Sequence, residues 1–138
     1  MANQTLFGAI AGTARVPSGT FFGIFKTLTN GTASPEIIFD AANPVPHNFT
    51  VFGFEIWNNT GGAQAGATAT LQSNLNGGGL VAISDPVAFA LNDSKGIATT
   101  IDPAQAALTR GNAVEDILNI AKNANTNAGI CMVLAFAR

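Results

Sequence analysis

The chain has 138 residues, 47% of them hydrophobic and only 10% charged, with a formal net charge of −2. That length makes one ordinary domain, able to bury a core without disulfides or a structural metal. The basic residues Arg15, Lys26, Lys95, Arg110, Lys122 and Arg138 are scattered, which argues against a nucleic-acid partner, since such binding needs clustered phosphate contacts; no apolar stretch reaches the length of a membrane-spanning helix.

Residues 1–18 read as an N-terminal arm. It is small and apolar between 5 and 15, with Leu6, Phe7 and Ile10 as large side chains. It lacks the basic start of a signal peptide. The folded domain is placed at 19–138, behind a Pro17-Ser18-Gly19 turn. Residues 20–28 (TFFGIFKTL) are a strand, closed by the turn dipeptide Asn30-Gly31. Residues 36–39 are a short strand, and the two prolines in 41–48 make that stretch a loop. Residues 50–57 (TVFGFEIW) alternate most clearly, which predicts Phe52, Phe54 and Ile56 on one face and Val51, Glu55 and Trp57 on the other.

Polar and glycine-rich turns then separate strands at 67–73, 80–84, 87–91 and 96–101. Asp102-Pro103 is a helix-start pair, an N-cap followed by proline at the first helical position, so 102–108 is expected to form a helical turn. Residues 114–122 fit either a helix or a strand; the Arg110-Gly111-Asn112 turn before them favours strand. The chain closes with an apolar strand at 130–138. Eight or nine short strands at this spacing predict an all-β fold, an antiparallel, jelly-roll-like β-sandwich with an extended arm.

Two strands lack a polar face. In 130–137, Ile130, Met132, Leu134 and Phe136 oppose Cys131, Val133, Ala135 and Ala137. In 20–28, Phe21 and Phe25 oppose Phe22, Ile24 and Leu28. An antiparallel sheet facing water alternates apolar and polar residues, so something must cover the second face. The charge content, well below the roughly 25% of ordinary domains, points the same way. The residues expected at a protein interface are Leu6, Phe7, Ile10, Phe21, Phe22, Ile24, Met132, Leu134 and Phe136.

Residues that could carry chemistry are few. His47 is the only histidine and Cys131 the only cysteine, which is too few for the usual zinc sites. No serine sits in a nucleophile elbow, Glu115-Asp116 would point to opposite faces of a strand, and Gly77-Gly78-Gly79 lacks the lysine of a phosphate loop. The expectation is no enzyme, no cofactor and no metal. Trp57 followed by Asn58-Asn59 is a faint carbohydrate-platform signal.

The segments Phe54-Glu55-Ile56-Trp57-Asn58-Asn59, Ala67-Thr68-Ala69-Thr70-Leu71, Ala88-Phe89-Ala90 and Gly129-Ile130-Cys131-Met132-Val133-Leu134 resemble those of the small β-sandwich decoration or cement proteins of tailed-phage heads. The resemblance implies a homo-oligomer, most often a trimer, on the capsid exterior of a virion. There it would clamp the major capsid protein, without catalytic residues or cofactor. A sugar- or receptor-binding module, such as a fibre head or lectin-like domain, and a self-assembling coat subunit are the alternatives.

Overall fold

The computed structural model describes residues 17–138, so the arm expected at 1–18, with Leu6, Phe7 and Ile10, lies almost entirely outside the described residues. Among the described residues there is no helix. The strands are β1 (Phe21–Leu28), β2 (Glu36–Phe39), β3 (Phe49–Trp57), β4 (Thr68–Asn74), β5 (Val81–Ala82), β6 (Val87–Ala88), β7 (Lys95–Ile97), β8 (Ala107–Leu108), β9 (Ile117–Lys122) and β10 (Gly129–Ala137).

All pairings are antiparallel. A front sheet runs β1-β10-β3, with β7 and β8 both on the far side of β3; a back sheet runs β2-β9-β4, with β5 and β6 both on the far side of β4. If β5 with β6, and β7 with β8, count as one interrupted strand each, the chain builds two four-stranded sheets. Successive strands alternate between the sheets, except where β4 continues into β5 and β6 in the same sheet. That is jelly-roll connectivity.

The two sheets bury one apolar core. From the front come Phe22, Ile24, Phe49, Phe54, Ile56 and Val133; from the back, Ile38, Leu71, Leu118 and Ile120. Phe49 and Phe54 are almost wholly enclosed, and each contributes roughly 2–3 kcal/mol of burial. Phe22 and Phe49 meet edge to face with centroids 5.6 Å apart, and the His47 ring closes the cluster 5.1 Å from Phe22.

Three local expectations are corrected. Residues 102–108 do not form a helical turn. Asp102 Oδ1 accepts from the Ala104 amide at 2.9 Å, and the Gln105 amide donates to the Asp102 carbonyl at 3.1 Å, which makes a single turn that feeds directly into β8. The strands expected at 80–84, 87–91 and 96–101 shrink to two or three residues each: β5 and β6 are pieces of one back-sheet strand interrupted around Asp85-Pro86, and the chain crosses to the front sheet between β6 and β7. Gly96 marks the crossing: a Cβ on it would strike the Ala88 carbonyl oxygen. In β3 the expected alternation breaks. Leu134 faces Gly53 but Ala135 faces Val51, so Phe52 is the extra residue of a β-bulge. Val51 and Phe54 therefore both point into the core, while Phe52 turns outward and is 46% exposed. The strand expected at 114–122 is present as β9.

Candidate interaction surface

The outer faces of the two sheets differ in kind. β4, in the middle of the back sheet, shows Thr68, Thr70, Gln72 and Asn74 outward, and the exposed large apolar residues on this side lie near its edges, Ile37 on β2 and Leu80 just before β5. The front sheet follows the opposite rule. Strand alternation and the register of β1, β10 and β3 lay out rows across it: Phe21 beside Phe136, then Gly23-Leu134-Gly53, then Phe25-Met132-Glu55, then Thr27-Ile130-Trp57. Phe21 is 70% exposed, Phe25 66%, Ile97 58% and Trp57 44%. The outward residues of β10 are half-buried beneath their neighbours.

Local chemistry explains the relief of this face. The bulge delivers Phe52 to the top row, where it stacks on Phe136 (6.1 Å, 27°) and meets Phe21 edge-on at 5.6 Å. In the second row a Cβ on Gly53 would come 3.0 Å from Leu134 Cδ1. Glycine there lets Leu134 lie flat, and the row is low. Glycine inside a strand often marks such a close approach. Below it, Phe25, Trp57, Ile130 and Met132 surround a depression of about 220 Å³, with Glu55, Asp93 and Lys95 at its rim. Lys95 Nζ lies 3.5 Å from Glu55 Oε1.

The expected interface residues therefore separate. Phe21, Met132, Leu134 and Phe136 share the outer face of the front sheet. Phe22 and Ile24 do not; they point inward and belong to the core. Alternation puts Phe21 and Phe25 opposite Phe22 and Ile24, and the core side of β1 takes the latter pair. Phe25, Phe52, Trp57 and Ile97 were missing from the expected set. Phe25 was legible from its spacing to Phe21. Phe52 was hidden by the bulge, which shifts the phase of its strand.

The sites of possible chemistry are occupied structurally. Cys131 is fully buried, and burial pushes its thiol well above the usual range, with the Glu36 carboxylate adding to it; it is a poor nucleophile near neutral pH. His47 Nδ1 lies 3.1 Å from the Asn48 carbonyl, with the ring against Phe22 and Phe49. Asn58 is not a groove residue beside Trp57. It is fully buried; its amide donates to the Gly62 and Ala90 carbonyls, and its oxygen accepts from Thr60. Among the described residues no three His, Cys, Asp or Glu side chains are grouped to hold a metal ion. A second, polar depression of about 380 Å³ is formed by loops at one end of the sandwich, around Asn30, Thr60, Gln64, Thr126 and Asn127.

The chain matches no protein-family model, no curated protein and no solved structure at a significant level.

Proposed function

We propose that this protein is a virion structural protein, a capsid decoration or cement subunit that stabilises a head through protein–protein contacts. The observation that carries the reading is the two-sidedness of the sandwich: threonine and amide side chains cover the middle of one outer face, and aromatic and aliphatic side chains cover the other. A contiguous apolar face of this extent is characteristic of an interaction surface rather than of free solvent-facing protein. Jelly-roll connectivity is compatible with capsid roles, although it serves lectins equally and does not by itself decide function.

The test is addition of purified protein to capsids that lack decoration. Cosedimentation at a fixed stoichiometry, with a rise in the temperature at which the heads rupture, is the expected result. A folded protein that leaves every capsid tested unbound and no more stable overturns the reading.

A second reading, sugar binding, is favoured by one feature. Trp57 lies half-open beside a depression rimmed by Glu55, Asp93 and Lys95, and an aromatic ring flanked by polar groups suits a pyranose. Glycan-array binding abolished by Trp57→Ala would support it over the structural role.

A further inference from the structure

We propose that the outer face of the front sheet is the seat of a second copy of this chain, packed face to face about a two-fold axis. The inference rests on the reading of that face as a protein interface and names its occupant, so that on a decorated head the capsid would be met by the surfaces the dimer leaves open.

Area is the first argument. Phe21, Phe25, Phe52, Trp57 and Ile97 are each 44–70% exposed, and the outward residues of β10 remain half-open between them. With typical aromatic side-chain areas, this face offers on the order of 600–800 Å² of apolar surface. A stable interface buries about 800 Å² per partner. One such face is therefore about the size that one copy must contribute to a dimer.

Shape is the second. The face is a gently twisted antiparallel sheet, and two such faces pack about 10 Å apart with no other fit needed than interdigitation of side chains. The relief supplies that interdigitation. The low Gly23-Leu134-Gly53 row lies between an aromatic ridge of Phe21, Phe52 and Phe136 and a second rise at Phe25 and Trp57. Ridges and a furrow on one surface make it complementary to itself, as an isologous contact requires.

Charge is the third. Along these rows the charged side chains are Glu55 and Lys95, paired with each other at one end. Glu55 lies in the Phe25-Met132 row and Lys95 beside Trp57, so a second copy laid across these rows covers the two charges as a pair, with Asp93 at the rim, and buries no unpaired charge, which would otherwise oppose association. Lys26, also on β1, has the core-side phase, between Ile24 and Leu28.

The closing experiment uses the full chain. Sedimentation velocity up to about 100 μM reads the oligomeric state, and acrylamide quenching reads Trp57, the chain's single tryptophan. A dimer is expected, with Trp57 becoming shielded in step with dimerisation. Phe25→Glu and Phe52→Lys, both at exposed side chains, should each weaken association at least 30-fold or so, as interface centres do, while circular dichroism stays unchanged. If one variant fails to fold, the other decides. A monomer throughout the range overturns the proposal, as does a trimer, since three flat faces cannot all pair isologously. Trp57 shielded equally in dilute monomer also overturns it, because the chain would then be covering the face itself. A dimer that ignores capsids would contradict the decoration role and leave this inference standing; a monomer that decorates capsids would do the reverse.

Discussion

Lys122 and Glu36 show how a sparsely charged chain spends its charges. The Lys122 ammonium is enclosed, 2.8 Å from Glu36 Oε2, and donates also to the carbonyls of Thr29, Asn125 and Asn127. Glu36 in turn accepts from the Thr29 amide. The pair fastens the turn after β1 to the turn before β10. Removing one partner of a buried pair leaves the other uncompensated, at a cost of about 3–5 kcal/mol. Lys122→Met should therefore lower stability by about that amount in urea unfolding, and adding Glu36→Gln should recover part of it. Asp85 makes a similar link at the surface. Its carboxylate accepts from the backbone amides and hydroxyls of Thr99 and Thr100, and those bonds, the Thr100 amide first, hold its pKa below the ordinary 3.8. A carboxylate more acidic in the folded chain than in the unfolded one adds stability above its unfolded pKa and loses it as pH falls through the folded value. Urea midpoints measured from pH 5 down to pH 2 should fall less steeply in Asp85→Asn than in the parent, so that the parent's advantage at pH 5 narrows as pH falls below about 4.

At the level of the elements, β5 with β6 and β7 with β8 are interrupted strands of the back and front sheets, joined by one crossing between β6 and β7. The crossing depends on backbone approach: Gly96 sits where a Cβ would strike the Ala88 carbonyl oxygen and come 2.6 Å from the Val87 side chain. Gly96→Ala should cost about 2 kcal/mol or more, since neither the backbone of β6 nor that of β7 can yield cheaply. Gly23→Ala is the control. Its Cβ would meet the flexible Met132 thioether at 3.3 Å, so its melting temperature should stay near that of the parent. β1 is the long edge of the front sheet, and an edge strand is a template for unwanted pairing. Lys26, half-buried at a core-phase position of that edge, makes such pairing costly.

For the molecule as a whole, the decisive contacts join the two ends of the described chain. Phe21 pairs with Phe136, and β10 lies between β1 and β3. The front sheet thus needs the last strand in place before the first can pair. Topologies dominated by such distant pairings fold in milliseconds to seconds, far slower than helical bundles of equal size. Stopped-flow refolding followed through Trp57 should fall in that range; microsecond folding would mean that local structure dominates instead.

Much of this architecture was legible from the residues. Turn chemistry at Asn30-Gly31, the 58–62 stretch and 76–79, with period-two apolar patterns between, is local information, and it led to an all-β sandwich of the observed kind. The paired apolar faces of β10 were legible for the same reason, since side-chain alternation is a property of the extended chain itself. Whether Phe22 or Phe21 faced the core was not legible, because both faces of β1 are apolar and only the position of the back sheet selects one. The outward turn of Phe52 was hidden as well: one unpaired residue in β3 reverses the phase, and the bulge shows in the pairing with β10, the strand's own hint of it being the interior Gly53. Local sequence therefore determined the longer strands, such as 20–28, 50–57 and 130–138, and that one sheet would have too little polar surface. Tertiary pairing decided which aromatic side chains form the core and which gather on a single outer face, because a side chain's burial depends on what lies across from it.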